Sequence, residues 1–214
     1  MHKQHPQTAY RKYAVSIGTI FENCDKSCKR GMKSMNLDWS ILQAIQHTVV
    51  CPPLDALMPR ITALGNGALI WICAACGLLC TKKYRRQGVL LLCGLAAGAL
   101  VGNLFLKNLI VRPRPCWLDG SVLLKIAVPK DYSFPSGHTL SSAAAATILT
   151  KADRRFGYAA IPLAVFIAFS RLYLYVHFPS DVLAGAVLGV SIGLLTANYG
   201  GRALEMLQTA GTRR

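Results

Sequence analysis

Two histidines, a carboxylate and three strong cations fall in three short segments of the sequence. The first is Lys107-Asn-Leu-Ile-Val-Arg-Pro-Arg114-Pro115, the second Pro135-Ser136-Gly137-His138, and the third Ser170-Arg171-Leu-Tyr-Leu-Tyr-Val-His177-Phe-Pro-Ser-Asp181. An arginine offers a planar fork that matches the oxygens of a phosphoryl group, and a lysine adds a point charge. Lys107, Arg114 and Arg171 together make a tribasic anion site. Charges at membrane depth are expensive and mark ligand pathways. Taken singly, each of the three also reads as a base snorkelling to lipid headgroups.

His177 and Asp181 stand four residues apart, with Pro179 between them. Proline suits the first turn of a helix, so Asp181 sits in that turn and reaches back to the imidazole. A carboxylate on one ring nitrogen fixes the tautomer and leaves the other nitrogen as a nucleophile. A lone pair of this kind is commonly structural, but a second histidine, His138, and three phosphate-grade cations favour catalysis. Pro135-Ser136-Gly137-His138 reads as a helix start: Ser136 is placed to cap it, and Gly137 lets an anion approach the backbone amides. Arg112 and Lys125 read as solvated loop charges.

These segments must be positioned by membrane helices. The chain has 214 residues, 53% hydrophobic and only 15% charged, with a mean hydropathy of +0.37. Soluble domains carry roughly 25% charged residues. Uncharged windows of 21, 20, 19, 15 and 20 residues follow Arg60, Arg86, Asp131, Arg155 and Asp181. A span needs about 20 apolar residues. The expected fold is therefore all-α: a polytopic membrane bundle of about five spans (62–80, 88–106, 138–150, 157–175 and 181–199) plus N-terminal interfacial helices. The third window, rich in alanine and serine, suits close helix packing rather than lipid contact.

The expected organisation has four parts. Residues 1–36 form a basic extension with seven Lys or Arg and no signal-peptide core. Residues 37–59 form interfacial helices, with a sixth span as the alternative. Residues 60–200 form the membrane domain and 201–214 a cytoplasmic tail. Lys82-Lys83-Tyr84-Arg85-Arg86 and the basic run from Lys151 to Arg155 predict the cytoplasmic side, which puts the three reactive segments together on the opposite face.

The 24 Lys plus Arg against nine Asp plus Glu give a net charge of +15, which fits anionic lipid or a phosphorylated substrate. No aromatic-interleaved basic stripe points to nucleic acid. Eight cysteines do not form a disulfide framework: Cys73, Cys76, Cys80 and Cys93 lie in apolar stretches, and Cys24-x-x-x-Cys28 lacks a second pair. No carboxylate cluster suited to Mg²⁺ occurs.

The spacing Lys-(six)-Arg-Pro, Pro-Ser-Gly-His, Ser-Arg-(five)-His-(three)-Asp resembles the tripartite signature of the type 2 phosphatidic acid phosphatase superfamily. Every signature position is filled, and the resemblance covers roughly residues 60–200. It implies a metal-independent hydrolase that needs no cofactor. His177 is then the nucleophile, forming a phosphohistidine that Asp181 orients. His138 is the acid and then the base. Lys107, Arg114, Arg171, Ser136 and Gly137 bind phosphate. The superfamily also contains soluble vanadium haloperoxidases, against which the apolar windows argue.

The implied substrate is a phosphorylated membrane lipid, undecaprenyl diphosphate being favoured because an outward-facing site suits recycling of a polyprenyl carrier. Phosphatidylglycerophosphate or phosphatidate is the alternative. A different class of protein, a non-catalytic membrane protein holding anionic lipid through the same basic face, is the remaining reading.

Overall fold

The structure, a computed structural model, describes residues 28–200, with side chains from residue 37 onward. The basic tail at 201–214, Cys24 and most of the 1–36 extension lie outside the described residues. The described chain is helical, without a strand. Its elements are α1 (Cys28–Thr48), α2 (Pro52–Leu64), α3 (Leu69–Leu79), α4 (Arg85–Gly98), α5 (Gly137–Ala152), α6 (Arg154–Tyr173) and α7 (Pro179–Leu195). α4 runs on through a π-helical stretch, Ala99–Leu106, into the turn Lys107–Ile110.

Among the described residues, three helical stretches are long and apolar enough to cross a membrane: Arg85–Leu118, Arg154–Tyr173 and Pro179–Gly200. A fourth arises if α2 and the Asn66–Leu79 segment, bent by 52°, form one broken span. The molecule is a multi-pass membrane protein. The window at 62–80 is not one straight helix. Gly65-Asn66-Gly67 interrupts it, and Gly67 and Ala68 take left-handed conformations (φ 57° and 59°). Glycine adopts that conformation freely, whereas alanine there costs about 1 kcal/mol.

α5, the 16-residue helix of the third expected span, lies inside the bundle, against α4, α6 and α7. Thr139, Ser142, Ala144, Ala145 and Ile148 are all buried. Two glycine rows let its neighbours approach. On α7, a Cβ at Gly185 would lie 2.7 Å from the carbonyl of Ser136, just before α5, and one at Gly189 or Gly193 would lie 2.4 or 2.7 Å from atoms of α5. On the α4 side, a Cβ at Gly94, Gly98 or Gly102 would come within 2.5–2.7 Å of Ile148 or Leu140. Small residues four apart are the standard device for close helix contact where lipid supplies no hydrophobic drive. Trp71 Nε1 donates to Ser142 Oγ (2.9 Å), tying α3 to the same helix.

The two basic turns share one end of the bundle. Tyr84, between α3 and α4, donates to Asp153 (2.9 Å) and packs on Phe156, at the α5–α6 junction. Asp153 caps α6 by accepting from the Arg155 amide. Cys73, Cys76, Cys80 and Cys93 are free and exposed on the outside of the bundle, while Cys116 is buried.

α1 is more than a surface helix. Leu42 is fully buried, Trp39 packs edge-on against Phe178, and Asp38 is buried against the start of α7. α1 therefore braces the loop that joins α6 to α7.

Candidate active site

The end of the bundle opposite the basic turns collects the reactive residues. Lys107 ends the π-helical extension of α4. Val111 then turns left-handed (φ 49°), and Arg114 follows in extended backbone before the helical turn Pro115–Leu118. His177 sits in the α6–α7 loop, two residues after Tyr175, which is also left-handed (φ 60°). With Ala68, these are the three non-glycine left-handed residues among those described, and each lies in a segment that carries the site. Backbone strain of this kind persists where the surroundings fix it.

Arg114 and His177, 1% exposed each, form the centre. Arg114 Nη1 lies 3.0 Å from His177 Nε2 and donates to the Val176 carbonyl (2.7 Å). An arginine donates only, so Nε2 accepts and the ring proton resides on Nδ1. Burial, then the charges of Arg114, Arg171 and Lys107, push His177 well below its ordinary pKa. The ring is neutral at pH 7, with its Nε2 lone pair held by an arginine.

Asp181, fully buried, sits in the first turn of α7 as expected, and Oδ2 accepts from the Phe178 amide (2.9 Å). It does not bond His177 directly, since Oδ2 to Nδ1 is 3.7 Å. Ser133 Oγ donates to that oxygen (2.5 Å) and lies 3.4 Å from Nδ1. Ser133 is itself fully buried.

Arg112 corrects the sequence reading. It is no solvated loop charge, because its side chain is only 19% exposed. It donates to Asp181 Oδ1 (2.6 Å), Ser180 Oγ (2.6 Å) and Asp38 Oδ2 (2.7 Å), with its guanidinium 4.3 Å from the centre of the Phe178 ring. Asp38 in turn accepts from the Ser180 amide and hydroxyl. Lys125 remains peripheral, half-exposed and paired with Asp55 (2.8 Å).

The other expected residues are placed as follows. Arg171, 4% exposed, donates to Thr62 Oγ1 (2.6 Å), while its buried Nε has no hydrogen-bond partner. Such a donor is costly unless an anion satisfies it. His138 opens α5, its Nε2 2.9 Å from Asn66 Oδ1. A Cβ at Gly65 would lie 2.7 Å from the His138 ring, so the kink between α2 and α3 is shaped around this histidine. Gly137 leaves room for Asn103, whose Oδ1 would lie 2.6 Å from a Cβ there. Ser136 does not cap α5. Its buried hydroxyl accepts from Thr139 (3.0 Å), and its amide donates to the Asp181 carbonyl (3.1 Å).

Asp131 was not foreseen. Oδ1 accepts from Arg114 Nη2 (2.8 Å), and Oδ2 pairs with Lys107. Burial alone would raise its pKa, but the hydrogen bond from Lys107 and the charge of Arg114 hold it well below the usual carboxylate range. The acids themselves were the available signal. In so basic and apolar a chain, Asp38, Asp131 and Asp181 each find a cation.

Lys107, Asp131, Gly137 and His138 open into a cavity of about 610 Å³. It continues between apolar residues of α3 and α4, including Ile72, Leu92 and Leu95. From Lys107 back to Leu92 the helix rises about 22 Å.

A neutral buried imidazole, three cations and a second histidine thus gather at one end of an apolar bundle, beside a cavity that runs between its helices. The chain belongs to the PAP2 superfamily, whose profile matches residues 87–204, more than half of its length. It is 29% identical to the undecaprenyl-diphosphatase of Sulfolobus acidocaldarius over 78% of this chain and 80% of that one. It is 30% identical to the decaprenylphosphoryl-5-phosphoribose phosphatase of Mycobacterium tuberculosis, over 76% and 90%. The crystal structure of a PAP2-type phosphatidylglycerolphosphate phosphatase from Bacillus subtilis superposes with a TM-score of 0.66 at 25% identity, covering 91% of this chain and 94% of that one.

Proposed function

We propose that this lipid phosphatase of the PAP2 superfamily hydrolyses a polyprenyl diphosphate, undecaprenyl diphosphate being the best candidate, through a phosphohistidine at His177. The contact between Arg114 and His177 Nε2 (3.0 Å) carries the reading. One guanidinium holds the nucleophile's lone pair and is positioned to transfer its donor to a phosphoryl oxygen.

Nε2 attacks the terminal phosphorus, and the bond to the bridging oxygen breaks. His138 protonates the departing lipid monophosphate. The positive charge on His177 is met by Asp181 through Ser133. Lys107, Arg114 and Arg171, with the Gly137 amide, stabilise the oxygens as charge redistributes. His138 then takes a proton from water, which attacks phosphohistidine and releases inorganic phosphate. Ser136 shapes this wall of the site from behind.

The cavity leading from Lys107 and His138 into the apolar helices supports a lipid tail beside the headgroup. In this reading α5 is the central one of five spans, and the site faces the extracytoplasmic side, away from the basic turns. Phosphatidylglycerophosphate is the second reading, favoured by the likeness to the Bacillus subtilis structure.

The test is phosphate release by the detergent-purified protein in EDTA, with undecaprenyl diphosphate, phosphatidylglycerophosphate and phosphatidate offered side by side. EDTA-resistant release on the first lipid, reduced at least about a thousandfold in His177→Ala, is expected. Undiminished release by that variant would remove the nucleophile assignment.

A further inference from the structure

Asp131 lies between two cations that the phosphatase reading assigns to the phosphoryl group. Its two carboxylate oxygens bridge Lys107 and Arg114, two of the three site cations. Arg114 has no donor to spare. Nε binds the Asp131 carbonyl (2.7 Å), Nη1 binds Val176 O and His177 Nε2, and Nη2 binds Asp131 Oδ1 and the Tyr132 carbonyl (3.3 Å). A guanidinium has five N–H groups, and all five are engaged. No phosphoryl oxygen can take the Nη2 position until the carboxylate leaves it.

The carboxylate is free to leave. The Asp131 side chain is 56% exposed, whereas those of Lys107 and Arg114 are 8% and 2% exposed. Turning it toward the open side of the cavity moves a charge into water and breaks no buried backbone contact. The loop stays in place, because the Asp131 carbonyl remains on Arg114 Nε and the Ser133 amide remains on the Arg112 carbonyl (2.8 Å).

We infer that the Asp131 carboxylate is an internal ligand of the phosphate seat, displaced by the arriving phosphoryl group and returning to expel inorganic phosphate. The inference rests on the phosphatase reading above. A site with three buried cations would bind its own product tightly. A tethered anion competes with every phosphate alike, weakening substrate and product by one common factor, and turnover gains where product release is slow.

Two tetrahedral oxyanions test this, tungstate with two charges and perrhenate with one. Their affinities are read from the shift in unfolding temperature of the detergent-purified protein, independently of turnover. In Asp131→Asn and in Asp131→Ala, both anions are expected to bind more tightly by the same factor, roughly 10- to 100-fold for the loss of a competing charge-assisted contact. The KM should fall with them, and kcat should fall as phosphate release slows.

A gain for tungstate that is the square of the gain for perrhenate would mean a fixed charge that never leaves, and would overturn the inference. Unchanged or weaker binding of both anions in a variant with a cooperative unfolding transition would overturn it as well, making Asp131 a wall of the site. Failure of both anions to bind the wild type and the variants would sink the phosphate-seat reading, and this inference with it. If Asn alone misfolds, Ala carries the comparison.

Discussion

Nδ1 of His177 and Oδ2 of Asp181 stand 3.7 Å apart, beyond hydrogen-bond reach, with the Ser133 hydroxyl against both. The pair is therefore coupled through a third side chain. Ser133 gives its proton to the carboxylate and turns a lone pair toward the imidazole N–H. It keeps the ring in the tautomer that presents Nε2.

Replacing Ser133 by alanine should lower kcat about tenfold and leave KM nearly unchanged, because in the proposed mechanism the hydroxyl supports His177 and not the substrate. Steady-state kinetics on a detergent-solubilised lipid diphosphate would decide. A rise in KM at constant kcat would assign Ser133 to binding instead.

Arg112 neutralises two buried carboxylates at once. Its replacement by glutamine should cost about 3 kcal/mol, the usual penalty for leaving buried charge unpaired. Adding Asp38→Asn should recover part of the loss. Unfolding titrations of the single and double variants give the coupling, and strict additivity would show that Asp38 and Arg112 act independently.

The pH dependence has a definite sign. Because burial and three cations depress the His177 pKa, the acid limb of kcat/KM should lie below the ordinary histidine value of about 6.5. Removing one cation, as in Lys107→Gln, favours the imidazolium and should move the limb to higher pH. The same depression bears on stability. The unfolded chain takes up the proton first, so folding stability falls as pH drops below about 6.5 toward the folded value. A limb that shifts to lower pH in Lys107→Gln would contradict the electrostatic account.

A methyl group at Gly189 would lie 2.4 Å from the Leu140 carbonyl and 2.7 Å from Ala143 Cβ. Gly189→Ala should therefore push α7 off α5, destabilising by about 1–3 kcal/mol and lowering activity, since Asp181 rides on α7 and His138 on α5. Gly77→Ala, which meets nothing within 4 Å, is the control and should leave both unchanged.

That the expected site residues meet at one end of the bundle was legible because they fall in three short segments at the ends of apolar windows. Lys107, Arg114, His138, Arg171, His177 and Asp181 needed only helices of alternating direction to meet. Their supports were not legible. Asp38 reaches Ser180 across 142 positions, Asn66 reaches His138 across 72, and Thr62 reaches Arg171 across 109. No local pattern encodes such partners. Arg112 was misread because adjacency to a motif says nothing about which way a side chain turns. The kink at Gly65–Ala68 was visible as an Asn-Gly turn signal, but the uncharged window around it suggested one unbroken span. The alanine and serine content of residues 138–150 did foretell a helix enclosed by protein.

That enclosure bears on how the protein is made. α5, sixteen residues long and rich in alanine, serine and threonine, has little hydrophobic pull into a bilayer. It becomes at home only between the glycine rows of α4 and α7. During synthesis α7 emerges last of the three, so the helix carrying His138 settles only after α7 has been made. Until α7 is in place, the site lacks Asp181 and the helix carrying His138 lacks one of its two glycine rows.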